Sequence, residues 1–216
     1  MPASYSGERL LPASGGKPQQ IVLLLHGFGS NAADMIGLAS LWRAALPDTL
    51  FVAWNAPQPC HGAPGGFQWF GLHSFDRQAL SAGVRHAATG LNAQIDALLA
   101  EHGLSEDRLL LTGFSQGTMM ALHIALTRDR PVAGVAGYSG ILADPLTRGV
   151  VSRPPILLIH GAADSVVPAS GYHQTVRELR TLGLEVEAHL QPGLDHSVDP
   201  DGIARGLRFA QRVLPA

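Results

Sequence analysis

One serine, one aspartate and one histidine in this sequence stand where a nucleophile and its two helpers would have to stand. Ser115 lies in Gly113-Phe114-Ser115-Gln116-Gly117, a G-x-S-x-G pattern. The apolar run Leu109 to Leu111 precedes it and a helix-capable apolar run follows, the strand–turn–helix context that gives the pattern meaning. A serine on so sharp a turn is held in strained backbone geometry, and side chains beside it would crowd helix against strand. Glycine on both sides removes that conflict. Ser115 Oγ would then rise above the sheet at the N-terminus of the next helix, where backbone N–H groups and the helix dipole suit a developing oxyanion. Taken alone, GFSQG also fits a plain glycine-rich turn, so the partners of Ser115 carry the argument.

A serine nucleophile needs a base, and the base needs an acid to orient it. Ten histidines compete for the first role. His86, His102, His123 and His173 fall in helical patterns and His189 in a strand. His61 and His73 fall in an aromatic loop and could line a pocket. His26 and His160 each precede a glycine at a strand end, a position open to core or site. His196 stands apart, in Gln191-Pro192-Gly193-Leu194-Asp195-His196-Ser197, between the last strand and the last helix. Loops at the C-terminal ends of parallel strands carry the chemistry in open α/β sheets. Asp164, in HGAADSVVP after the preceding strand, is the candidate acid, although alone it also reads as a helix N-terminal acid. Asp195 adjoins His196 and diverges from it, Asp199 reads as a helix cap, and Asp144 is the weaker fallback. Ser115, Asp164 and His196 keep the hydrolase order Ser…Asp…His.

The turn His26-Gly27-Phe28-Gly29 reads as a source of backbone N–H groups beside Ser115, to be joined by the N–H of Gln116. The same stretch fits a relaxed G-x-G-x-x-A dinucleotide pattern, but the next strand ends in Val52-Ala53-Trp54-Asn55 with no acid for a ribose. A P-loop fails as well, with Leu11 in place of the first glycine and Pro18 after Gly16-Lys17. No HExxH or paired-cysteine spacing supports a metal site, and the chemistry needs no cofactor.

The elements that must position these residues follow from periodicity. Gln20–His26, Thr49–Trp54, Asp107–Thr112, Val132–Ser139 and Pro155–His160 read as buried strands. Glu185–Leu190 alternates and lies nearer an edge, and Tyr5–Leu11 is an edge-strand candidate. Helices are expected over Asp34–Leu46, Asp76–His102 (broken or kinked near Gly83 and Gly90), Gln116–Thr127, Ala169–Leu182 and Pro200–Val213. Alternating strands and helices mean a mostly parallel sheet wound on both faces. Asn55–Phe75 is a long loop whose aromatics argue against disorder.

The 216 residues, 46% hydrophobic, suffice for one sizeable core and not comfortably for two, so a single α/β domain over residues 1–216 is expected. A net charge of −2 without a Lys/Arg cluster leaves no nucleic-acid footprint. One cysteine, Cys60, excludes an internal disulfide. No secretory pattern opens the sequence and no apolar run reaches membrane-spanning length, so a cytoplasmic protein is expected.

On these residues the chain resembles the phospholipase/carboxylesterase family of small α/β-hydrolases, which includes acyl-protein thioesterases and bacterial carboxylesterases. LLLHGFGSN ending at Asn31, Ala56-Pro57, Trp69-Phe70, GFSQG, HGAADSVVP and GLDHS carry the resemblance over nearly the whole chain. It implies an α/β-hydrolase fold without a large lid domain, nucleophile Ser115, acid Asp164 and base His196. It also implies oxyanion donors from the N–H groups of Phe28 and Gln116, acyl-pocket contributions from Trp69, Phe70 and Val167, and no metal; Trp69 and Phe70 also read as core plugs under the long loop. The partner implied is a small-molecule acyl ester, and homodimers are common among relatives. Two departures matter: Thr118 stands where many members have a further glycine, and Gly71 where the thioesterase branch often has aspartate. They make a bacterial carboxylesterase the nearer expectation. Lysophospholipase or acyl-protein thioesterase action with the same residues is the alternative, and a non-catalytic binding protein on the same fold is the remote one.

Overall fold

The computed structural model describes residues 5–72, 74–146 and 149–214. In chain order its strands are β1 (Gly7–Leu10), β2 (Gln20–Leu25), β3 (Thr49–Trp54), β4 (Gln58–Pro59), β5 (Phe67–Gln68), β6 (Leu109–Phe114), β7 (Gly134–Tyr138), β8 (Ile156–Gly161) and β9 (Val186–Gln191). The helices are α1 (Ala32–Trp42), α2 (Arg77–His102), α3 (Gln116–Thr127), α4 (Ala169–Thr181) and α5 (Pro200–Val213). Seven strands make one sheet in the order β1-β3-β2-β6-β7-β8-β9, and β4 and β5 pair separately. Only β1 runs antiparallel in the large sheet, against β3.

The apolar runs are continuous because both faces of the sheet are covered. Ile21, Leu23 and Leu25 pack in one core with α2, α3 and α4, while Val22 and Leu24 pack in a second with α1 and α5. Period-2 alternation along β2 thus serves two cores rather than a core and solvent.

The sheet order also fixes where chemistry can sit. The chain leaves β2 toward β3 on one side and returns to β6 on the other, so the loops after β2 and β6 diverge from a switch point. Gly27-Phe28 follows β2 and Ser115 follows β6. Among the described residues, no helix is long and apolar enough to cross a membrane.

Local chemistry moves some expected boundaries. The first helix starts at Ala32 rather than Asp34, because Asn31 caps it and its side chain accepts from the Asp34 N–H. It ends at Trp42, short of Leu46. Asp199 caps α5 as expected, accepting from Gly202 N–H at 2.8 Å. No break occurs near Gly83 or Gly90: α2 is one continuous helix of 26 residues. Both glycines are packing choices. A Cβ on Gly83 would lie 2.5 Å from the Phe70 ring, and one on Gly90 would lie 3.0 Å from the Tyr5 hydroxyl.

Candidate active site

Ser115 has φ 52° and ψ −113°, a strained conformation for a residue with a side chain. The surroundings enforce it. A Cβ on Gly113 would fall 2.4 Å from the Gly117 carbonyl carbon, and one on Gly117 would fall 1.9 Å from the Leu25 carbonyl oxygen. Only glycine lets β6 turn into α3 this tightly against β2. The Ser115 N–H donates to the Tyr138 carbonyl at 2.8 Å, which holds the turn to β7.

Thr118 sits beneath the turn, fully buried. Its hydroxyl lies 2.8 Å from the Gly113 carbonyl and 2.9 Å from that of Tyr138, and it accepts from the Tyr138 N–H at 3.0 Å. Thr118 is therefore a brace between β6 and β7. Its methyl side fills the space kept open by Gly137 and Gly140, where added Cβ atoms would fall 2.6 and 2.4 Å from Thr118 carbons.

His196 and Asp164 come together although 32 positions apart. His196 Nδ1 is 2.8 Å from Asp164 Oδ2, and the Asp164 side chain is fully buried. Its other oxygen accepts from the N–H groups of Val166 at 2.9 Å and Val167 at 2.7 Å. With Oδ1 accepting from two N–H groups, His196 Nδ1–H donates to Oδ2, which leaves Nε2 free to accept. The His196 ring packs on Phe114, the residue before Ser115, at 4.9 Å between centroids. The two loops interlock through Ala162 N–H to the Gln191 carbonyl (2.8 Å) and Ala163 N–H to the Leu194 carbonyl (2.9 Å). Gly161 makes that approach passable, since a Cβ there would lie 2.3 Å from the Leu194 oxygen.

The turn expected to supply backbone donors beside Ser115 is built on His26, fully buried. Its Nδ1 lies 2.7 Å from the Gly27 carbonyl and its Nε2 accepts from the Ala56 N–H at 3.0 Å, so the proton sits on Nδ1. Burial holds its pKa below the usual imidazole range, with the Gly27 bond opposing. A Cβ on Gly27 would lie 3.3 Å from Ser115 Cβ, so the turn carrying Phe28 runs directly beside the serine. Phe28 is 40% exposed at the rim. The N–H of Gln116 opens α3 at the same point.

Trp69 and Phe70, expected along an acyl pocket, lie in the core at 1% and 3% exposure and offer a ligand no open surface. The Trp69 indole donates to the His26 carbonyl at 2.9 Å. Val167, 2% exposed, bears on the site through its backbone, bonded to Asp164 and His160. His73 lies outside the described residues. A cavity of about 130 Å³ opens beside Ile141 and Leu142, between α4 (Gly171, Thr175) on one side and Phe75 with Leu80 of α2 on the other.

Other candidates separate from this site. Asp195 accepts at one oxygen from Ser165 N–H (2.8 Å), Ser165 hydroxyl (2.9 Å) and His196 N–H (2.8 Å), which holds its carboxyl below the ordinary range and makes it a loop staple. Asp144 pairs with Arg85 at 2.7 Å and lies near His123 at 3.2 Å. The side chain of Gln116 was not foreseen. Its carbonyl accepts from Trp69 N–H at 2.9 Å, and its amide donates to the Phe70 carbonyl at 2.8 Å. Nothing local in the sequence signals this clamp.

The chain as a whole is similar to known proteins. The phospholipase/carboxylesterase family profile matches residues 10–214. Acyl-protein thioesterase 1 of Mycosarcoma maydis is 31% identical, with 95% of each chain covered. A probable carboxylesterase of Oryza sativa subsp. japonica is 28% identical over 93% of this chain and 81% of its own. The crystal structure of esterase PE8 superposes with a TM-score of 0.93 at 38% identity, covering 98% of this chain and all (100%) of the other.

Proposed function

The chain belongs to the phospholipase/carboxylesterase family and is an α/β-hydrolase that cleaves carboxylic esters, and we propose that it does so through an acyl-enzyme formed on Ser115. The observation that supports this reading is the strained Ser115 turn at the same sheet end as the 2.8 Å His196–Asp164 pair. His196 Nε2 takes the Ser115 proton as Oγ bonds to the ester carbonyl carbon. The N–H groups of Phe28 and Gln116 receive the negative oxygen, and removing one such donor typically costs about 3 kcal/mol of transition-state stabilisation. Asp164 stays ionised and stabilises the imidazolium. As the carbonyl reforms, the C–O bond breaks and His196 protonates the departing alcohol. Water then repeats the sequence on the acyl-enzyme and frees the acid.

The cavity beside Ile141 and Leu142 is the proposed acyl site, with Trp69 and Phe70 acting beneath it as buried support and Val167 as backbone support for the acid. The reading includes a single domain over residues 1–216, a cytoplasmic location and pairing into a homodimer, which light scattering on the purified chain tests. A thioester substrate is the second reading, favoured by the relative named acyl-protein thioesterase 1. Matched oxyesters and thioesters of acetyl to dodecanoyl chains, given to wild type and Ser115→Ala, test both. Serine-dependent turnover strongest on short oxyesters is expected. Stronger turnover of long thioesters moves the assignment to the second reading, and full activity in Ser115→Ala removes Ser115 as nucleophile.

A further inference from the structure

Asp164 Oδ2 has a second imidazole beside it. His160, the penultimate residue of β8, places Nε2 at 3.3 Å from that oxygen and at 2.8 Å from the Val167 carbonyl. The residue is 1% exposed, and the side chains of both partners in this contact are fully buried. A carbonyl only accepts, so Nε2 carries the proton and Nδ1 is bare. Nδ1 is buried and has no hydrogen-bond partner among the described residues. A proton there would create an orphaned buried donor, which keeps the ring neutral. Burial acts the same way, lowering its pKa against the opposing pull of Asp164 and the Val167 carbonyl. The groups around the ring are Asp164 and Val167 in the loop after β8, Tyr172 and His173 on α4, and His196 after β9. The Tyr172 ring lies 5.3 Å away between centroids.

A carboxylate has about four lone-pair sites. Val166 N–H and Val167 N–H occupy Oδ1, and His196 Nδ1–H occupies one site on Oδ2. We propose that His160 is a positioning residue for ester hydrolysis: its ring, anchored by the Nε2–H bond to the Val167 carbonyl, stands 3.3 Å from Asp164 Oδ2 and fixes the carboxylate in the plane that His196 needs. His160 touches no substrate and acts through Asp164. The proposal rests on the reading of Ser115, Asp164 and His196 given above. It explains why a buried polar ring, rather than an aliphatic side chain, follows Ile156-Leu157-Leu158-Ile159 in β8.

Three full-length proteins test it: wild type, His160→Leu and His160→Gln. In wild type, ¹⁵N-histidine NMR is expected to find His160 as the Nε2–H tautomer; an Nδ1–H tautomer overturns the proposal. Folded His160→Leu is expected to lose about 10- to 100-fold in kcat with KM unchanged, with the acid limb of its pH profile moved to lower pH. The downfield His196 Nδ1 proton resonance should weaken with it. His160→Gln keeps an N–H donor and should recover most of kcat. A folded leucine variant with wild-type kcat and an unmoved resonance overturns the proposal. If that variant does not fold, the wild-type tautomer and the glutamine variant decide, a glutamine variant with unrecovered kcat counting against. Tautomer and resonance need no turnover, so they can fail while Ser115→Ala still upholds the ester-hydrolase reading, and the reverse.

Discussion

The Trp69 N–H donates to the side-chain carbonyl of Gln116 at 2.9 Å, tying the residue after Ser115 to a loop 47 positions earlier. The other end of the same amide donates to the Phe70 carbonyl. The residue whose backbone N–H is assigned to the oxyanion thus uses its side chain to hold Trp69 and Phe70 in the core. Gln116→Ala keeps the backbone donor and leaves a buried N–H and C=O unpaired. Chemical denaturation should report a loss of about 1–3 kcal/mol, with kcat lowered as the turn relaxes. Unchanged stability would show that water replaces the clamp.

Asp164 and Asp195 lie in facing loops and differ in what they hold. Asp164→Asn alters the group paired with His196 Nδ1 and should lower kcat by roughly 10⁴-fold, the cost of presenting the wrong tautomer. Asp195 uses a single oxygen for all three of its bonds, to Ser165 and His196, and asparagine retains such an oxygen. Asp195→Asn should therefore keep most activity, while Asp195→Ala should lose stability and part of kcat. Steady-state kinetics of the three variants decide; a severe Asp195→Asn beside a mild Asp164→Asn would exchange the roles.

Three buried histidines give stability a pH dependence. Burial lowers the pKa of His26, His123 and His160, opposed in each by a nearby acceptor or carboxylate. A group whose folded pKa is depressed favours the folded state above its unfolded pKa, about 6.5 for histidine, and that share is lost as pH falls through the folded value. Melting temperature should hold near neutral pH and decline from about pH 6.5 downward. His123→Gln should make the decline shallower, whatever it does to the plateau. An unchanged slope would remove His123 from the account.

Two glycine-to-alanine changes in helices should have opposite signs. A Cβ on Gly37 in α1 meets nothing within 4 Å, so Gly37→Ala should gain up to about 1 kcal/mol from helix propensity. A Cβ on Gly83 in α2 would strike the Phe70 ring. Gly83→Ala should destabilise despite the same propensity gain, and should disturb activity through Phe70. Equal effects of the two in calorimetry would contradict the packing described for Phe70.

The contrast between those two glycines marks what a sequence can express. The strands, the Ser115 turn and the loops holding Asp164 and His196 were legible because each depends on neighbours within a few residues. Periodicity sets a buried strand, two glycines set a tight turn, and chain order sets the partners. Gly83 read as a break because its reason, Phe70, is another segment. Trp69 and Phe70 read as pocket walls or as core plugs, because the Gln116 clamp that holds them leaves no local pattern. Thr118 read as a departure near the substrate and is a brace between β6 and β7.

The central claim is an acyl group on Ser115. Wild type is mixed with a 4-nitrophenyl ester, quenched within one turnover, and its peptides are weighed. The account predicts the acyl mass on the peptide carrying Ser115, absent from Ser115→Ala, which also loses turnover. Hydrolysis that persists in Ser115→Ala, with no acyl mass on that peptide in wild type, would contradict it.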